Sequence, residues 1–363
     1  MNAVVLVGGG GTRLRPLTYS VLKPLIPVVN KPLIGHIFDN LRRHGVEHVV
    51  LAATARDRSM EETIGDGRAY GLEVSYSYEE TPLGSGLAVK QAASNFDDSF
   101  FVCNGDVVTN LDLSAMAKQH TDRKAILSIF LAEVDDPSGF GVAQLGPSDQ
   151  IVRFVEKPPR SEAPSNWANA GTWIFDPAML DHIPDERMDR SLEQLVFPAL
   201  ISEGLLVQGF RSPAYWMDVG TSERYLQLHS DILGGRLPES LPGDVSQGPL
   251  MAEASELSSD IHIGRQVVIG RACRIEEGAS IEGPSTLGSG CFIGKGAALG
   301  RSILWDGVMV GPGAIVRASI LGEGCIIGAG AIVDGAVLAN DARVEEGVRL
   351  SPGARLEPGE VAS

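Results

Sequence analysis

The chain has 363 residues, with 46 acidic side chains against 30 basic ones and a formal net charge of −16. That length allows two domains, and that charge makes nucleic acid and anionic membranes poor partners, so any phosphate-bearing ligand needs local cations or a metal. No apolar run approaches the ~18 residues of a membrane span, the N-terminus shows no basic leader, and the four cysteines form no CxxC pair, so a cytoplasmic protein with reduced structural thiols is expected.

The first apolar run, Ala3-Val4-Val5-Leu6-Val7, reads as a buried strand. It leads into Gly8-Gly9-Gly10-Gly11-Thr12-Arg13-Leu14-Arg15-Pro16-Leu17-Thr18, with Lys23-Pro24 five residues on. Four glycines after a strand let the backbone approach a ligand and turn N–H groups toward it. Arg13 and Lys23 add fixed positive charge, a combination that suits a triphosphate. A dinucleotide fingerprint is excluded, because Arg13 or Leu14 stands where a third small residue should open a helix. A Walker loop is excluded by the absence of Gly-Lys-Ser/Thr.

Onward to about residue 235, strand-like and helix-like segments alternate. Strands are expected at 3–7, 46–52, 72–78, 100–103, 125–132 and 151–155. Helices are expected at 33–44 (ending at Gly45), 85–93, 113–120, 177–183, 192–202 and 222–233. The alternation predicts a Rossmann-like, mostly parallel α/β sheet with helices on both faces and ligands at the carboxyl ends of its strands. Residues 236–260, rich in Pro, Gly, Ser and Glu, read as a linker. From Ile263 an aliphatic residue recurs every six positions through Leu299, and later slips to five leave Leu304, Leu321 and Leu338 spaced by 17. Neither a helical nor a strand period fits. A triangular coil with one inward aliphatic per side does, which is the hexapeptide pattern of a left-handed parallel β-helix over 261–358.

The glycine run with its arginine and spaced Lys-Pro resembles the signature of the sugar-1-phosphate nucleotidyltransferases, and within them the branch acting on mannose-1-phosphate with GTP. The resemblance spans the chain, since such enzymes often end in hexapeptide repeats. It implies attack by a sugar-1-phosphate oxygen on the α-phosphorus of a nucleoside triphosphate, with release of pyrophosphate. It also implies Mg²⁺ held by Asp106 and Asp218, with Arg13 on the departing phosphates and Lys23 on the α-phosphate. Leu6, Gly8 to Arg13, Glu79, Pro82, Gly84, Asn104 and Gly105 would line the nucleotide. Gly141, Glu156, Lys157, Asn169 and Gly171 would meet the sugar phosphate through segments similar to the family's Tyr-Gly-Val (here Phe140-Gly141-Val142), Val-Glu-Lys-Pro and Asn-Ala-Gly.

Guanine presents two adjacent donors that suit a carboxylate, so Glu79 favours GTP, whereas related thymidylyl enzymes carry Gln in this segment. The following Leu83-Gly84-Ser85-Gly86 is one residue shorter than the usual guanylyl pattern Leu-Gly-Thr-Ala-Gly. The alternative keeps the chemistry and exchanges the substrates for dTTP or UTP and glucose-1-phosphate. A silent regulatory subunit of the same fold ranks below both. A second acyltransferase activity is disfavoured because His262 is the only histidine beyond residue 230. The repeats read as a platform for homo-oligomer assembly.

Overall fold

The computed structural model describes every residue except 55–57, 81–83, 187–190 and 242. It divides into two compact units, Met1–Gly9 with Ile34–Asp218, and Gly10–Leu33 with Val219–Ser363. The division falls inside the glycine run and directly after Asp218.

The first unit is built on a nine-stranded sheet. Its strands, with a separate short ribbon formed by β5 and β11, are β1 (Ala3–Leu6), β2 (His48–Thr54), β3 (Glu73–Glu79), β4 (Phe100–Asn104), β5 (Val107–Thr109), β6 (Leu127–Glu133), β7 (Gly141–Leu145), β8 (Ile151–Glu156), β9 (Trp167–Phe175), β10 (Val207–Arg211) and β11 (Trp216–Asp218). The order β3-β2-β1-β4 is parallel throughout. Val4, Val50 and Val102 face one side and Val5, Leu51 and Cys103 the other, all buried. Both faces of this half are therefore covered, which explains why its strands read as continuous apolar runs. The first face packs with Trp173, Phe175 and Phe197.

The Rossmann-like parallel core is as the alternation predicts, with strand limits shifted by no more than two residues. The sheet as a whole is mixed, because β9 runs antiparallel to β4, β6 and β7. β9 escapes a sequence reading because Asn169 and Gly171 interrupt it and its register against β6 shifts between Asn169 and Trp173. Helices α1 (Leu33–Arg43), α3 (Ser85–Ala92), α4 (Leu113–Arg123) and α5 (Leu192–Ser202) lie where the sequence predicts them, whereas the short α2 (Ser59–Ile64), without a side-chain cap, is not among the expected helices. Asp112 caps α4 by accepting from Ala115 N–H at 2.9 Å, and Ser191 and Gln194 form a capping box on α5. Residues 177–183, expected as a helix, form the 3₁₀ segment Pro177–His182.

In the second unit, Gly10–Leu33 folds into three 3₁₀ turns and a short ladder pairing Pro27–Val28 with Lys31–Pro32. Helix α6 (Ser222–Leu233) follows, capped by Thr221, which accepts from Arg224 N–H at 3.3 Å. The C-terminal coils form three parallel ladders, and the inward residues stack as the period predicts. One column is Ile269, Leu287, Leu304, Leu321, Leu338 and Leu356; the others run through Ile275, Ile293, Val310, Ile327 and Val344, and through Ile263, Ile281, Leu299, Val316 and Val333. Burying each such side chain is worth ~1.5–3 kcal/mol relative to exposure, and only stacking supplies it.

The first rungs, Leu250–Met251 and Glu256–Leu257, already pair with Val268–Ile269 and Arg274–Ile275, inside the stretch expected as a linker. The outward side chains Val268, Thr286, Ile303, Ile320 and Val337 are buried too. That face is covered within its own unit. His229 of α6 bonds Thr286 at 3.1 Å, Trp305 donates to the Tyr225 hydroxyl at 3.1 Å, and Asn30 donates to the Leu287 carbonyl at 2.7 Å. The four cysteines are free and buried.

Candidate active site

The parallel register brings the carboxyl ends of four strands to one edge. Leu6 pairs with Ala52 and Asn104, and Thr54 with Glu79. Glu79, offered by the sequence as a base reader, is a buried carboxylate at this edge, 9% exposed. Glu80 beyond it is exposed. Pro82 lies outside the described residues, and Gly84 immediately precedes α3. Gly8 and Gly9 continue from β1 as exposed backbone.

Asp106 sits in the turn between β4 and β5. Gly105 before it packs against the chain after β1: its N–H donates to Leu6 O at 2.9 Å, and an added Cβ would lie 2.7 Å from that oxygen. The second aspartate reaches the same place through a ribbon. β11 pairs antiparallel with β5, with Asp218 opposite Val107, so the two carboxylates leave the ribbon at the same end. Side chains fix that ribbon: Thr109 donates to Tyr215 O at 2.7 Å, and Asn110 accepts from Tyr215 N–H at 2.8 Å. Helix capping belongs to Thr221, so Asp218 is not consumed as a cap. Two carboxylates at one end of a ribbon, completed by substrate phosphates and water, are a donor set that Mg²⁺ ordinarily takes.

The sugar-phosphate candidates gather beside these aspartates in the same unit. Gly171 has φ +71°, and a Cβ there would lie 2.6 Å from Asn104 Nδ2, so only glycine lets β9 pass the end of β4. Asn169 Oδ1 accepts from Gly171 N–H at 3.1 Å and from the Trp173 indole at 2.8 Å. The amide nitrogen is then the end that can meet a hydroxyl. Trp216 donates to Ala170 O at 2.9 Å and meets Phe140 edge-on at 5.2 Å. The Phe140 ring is thus a packing group.

Glu156 pairs with Gly141 across β7 and β8, and a Cβ at Gly141 would lie 2.6 Å from Glu156 Oε2. Lys157 lies 3.3 Å from Glu156 Oε1 and is largely exposed. Burial, and then the negative charge of Glu193, raise the Glu156 pKa against the pull of Lys157. Glu193, in the first turn of α5, is a participant that the sequence reading missed, since it approaches Glu156 only through the fold.

The raised Glu156 pKa makes a stability statement. A proton held more tightly in the folded state stabilises at low pH, and that contribution disappears as pH rises through the folded pKa. Glu156→Gln should therefore melt higher than the parent at pH 8, with the difference vanishing in acid below the ordinary carboxylate range. It should also bind sugar phosphate worse. Thermal scans at the two pH values check this, and an equal difference at both contradicts it.

In the second unit the signature loop doubles back. Thr18 donates to Gly11 O at 2.8 Å. Gly11 has φ +57°, and a Cβ there would press on Thr18 at 3.0 Å and on Lys23 Cβ at 3.2 Å. Lys23 is only 8% exposed and is held against this bend. Gly10 is exposed, and Thr12 opens the 3₁₀ turn that carries Arg13. A Cβ at Gly220 would lie 3.1–3.2 Å from the terminal atoms of the Arg13 guanidinium. Gly220, two residues after Asp218, thus makes room for Arg13 through a contact between segments far apart in the chain.

A family model described as "Nucleotidyl transferase" matches residues 2–234. The chain belongs to the nucleotidyl transferase family. It is an enzyme of that class, a family that generally uses a divalent metal. Its C-terminal part, residues 250–356, matches a model described as "EIF2B subunit epsilon LbH domain", in agreement with the left-handed β-helix. A mannose-1-phosphate guanylyltransferase of Mycobacterium tuberculosis is 34% identical over 309 residues, covering 84% of this chain and 80% of the relative. A UTP–glucose-1-phosphate uridylyltransferase of Synechocystis is 32% identical over 323 residues, covering 84% and 83%. Among solved structures, HddC from Yersinia pseudotuberculosis complexed with GMP-PN is similar, with TM-score 0.54, 25% identity, and coverage of 62% of this chain and 97% of that one. Among the described residues, no helix is long and apolar enough to cross a membrane.

Proposed function

We propose that this nucleotidyltransferase joins GTP and mannose-1-phosphate to give GDP-mannose and pyrophosphate. The reaction class rests above all on the ribbon that sets Asp218 opposite Val107, beside Asp106 and next to the sugar-phosphate segments. The substrate pair rests on the similarity to mannose-1-phosphate guanylyltransferases over most of the chain, with the buried Glu79 at the strand edge in its favour.

Two anions must meet, and charge builds on the leaving pyrophosphate, so the residues act mainly by positioning and by electrostatic stabilisation. Glycine N–H groups from Gly8 to Gly11 cradle phosphates, Arg13 takes the departing phosphates, and Lys23 offsets charge at the α-phosphorus. Glu156 and Asn169 orient sugar hydroxyls, and Lys157 meets the sugar phosphate. Asp106 and Asp218 would hold Mg²⁺, which supplies charge neutralisation at the phosphates.

Residues 1–235 carry this chemistry, and 261–358 serve as a rigid platform rather than as an acyltransferase. We assign the protein to the cytoplasm, where its four thiols stay reduced. It self-associates through the β-helix, where outward Phe292, Met309 and Ile326 align in one ladder and Met309 is 46% exposed; a monomeric mass in solution removes that assignment.

The similarity to a uridylyltransferase favours UTP with glucose-1-phosphate as the second reading. Pyrophosphate release is measured with GTP, UTP, dTTP and ATP against mannose- and glucose-1-phosphate. GTP with mannose-1-phosphate should give the highest kcat/KM, by about tenfold or more, as expected where buried polar groups discriminate. A higher value for UTP with glucose-1-phosphate replaces the first reading with the second.

A further inference from the structure

The β-helix touches the signature loop within its own unit. Arg355, on the last rung of the first ladder, donates from Nη1 to the carbonyl of Arg15, two residues beyond Arg13. Earlier in the same ladder, Leu287 O accepts from Asn30, so the loop segment is held near both ends. The Arg355 guanidinium also acts on Glu223, whose carboxyl is held below its ordinary range, first by its hydrogen bond with Thr221 and to a lesser degree by this arginine. Glu223 lies in the first turn of α6, just after the Gly220 on which the Arg13 guanidinium rests. Arg355 thus bonds the loop that carries Arg13, and its charge is felt at the start of α6, beside the glycine that accommodates the Arg13 guanidinium.

We propose that Arg355 is a positioning residue for Arg13, so that the terminal coil of the β-helix sets the geometry of the phosphate-binding loop. The proposal rests on the reading of Arg13 as a phosphate ligand given above. A backbone carbonyl fixed by a charged donor restrains the loop more tightly than one left to water, and displacement of a catalytic cation by an ångström is costly. Arg355 is itself exposed, so its truncation leaves the aliphatic columns intact.

The test uses the full chain with Arg355→Ala, Arg355→Lys, Arg13→Ala and the double variant Arg13→Ala/Arg355→Ala, following pyrophosphate release and thermal midpoint. Arg355→Ala should lower kcat/KM for GTP by about tenfold to a hundredfold while KM for mannose-1-phosphate stays within about twofold. Arg355→Lys, which keeps one donor, should recover part of the loss. The double variant should be no worse than Arg13→Ala alone, since both changes act on one group. Parental kcat/KM for Arg355→Ala beside an impaired Arg13→Ala overturns the positioning role alone. So do losses that add in the double variant, or losses that follow a lowered thermal midpoint in the Ala and Lys variants alike. Full turnover by Arg13→Ala overturns the reading of Arg13 together with this one.

Discussion

Asp106→Asn is expected to reduce pyrophosphate release by about three orders of magnitude, or ~4 kcal/mol in the barrier, while the protein remains folded. Asn keeps the shape of the side chain and the tight turn, which depends on Gly105 and its bond to Leu6 O rather than on the carboxylate. What disappears is half of the charge that the ribbon end offers to a metal. Asp218 stays opposite Val107, so residual activity should require more Mg²⁺ than the parent needs. A magnesium titration of initial rates, with circular dichroism and a thermal scan as controls for folding, decides the matter. Unchanged turnover at ordinary magnesium removes Asp106 from the metal and takes the account of Asp218 with it.

Lys23→Gln should lower kcat by about a hundredfold to a thousandfold, the loss typical when one preorganised donor is taken from a developing charge. Lys23 is buried against the Gly11 bend, with Pro24 behind it restricting its backbone. An ammonium held in that place gains little from reorganisation and much from low local dielectric. Gln keeps the Cβ that lies against Gly11 and removes the charge, so the bend there is kept. If the lysine acts at the α-phosphorus as proposed, KM for the sugar phosphate should hardly move. Steady-state kinetics with either substrate saturating separates the two constants. A kcat within about fivefold of the parent, well short of the loss of a single oxyanion donor, makes Lys23 a structural lysine.

Those two residues show how unevenly the site is written in the chain. Lys23 and Arg13 belong to one continuous motif, and its glycines, charges and spacing point to a phosphate loop as an expectation before any fold is known. Asp106 is nearly as legible, since an apolar strand ending in Asn-Gly-Asp projects a carboxylate at a predictable edge. Asp218 is legible only by resemblance. Its placement beside Asp106 is created by an antiparallel ribbon between segments more than a hundred residues apart. Glu193 beside Glu156 and Gly220 beneath Arg13 carry no local mark at all.

The amino-acid sequence alone determined the β-helix and the parallel core and marked out the glycine loop with its two cations, because each is encoded by short-range order: a period of six, an apolar run, or a glycine turn followed by cations. The tertiary structure alone decided that β9 enters antiparallel with a shift at Asn169, that the first coil begins at Leu250, and that the β-helix grips the loop through Asn30 and Arg355. Such contacts join residues far apart in the chain. Their partners are selected by burial and register, and neither quantity leaves a repeating trace in the local sequence.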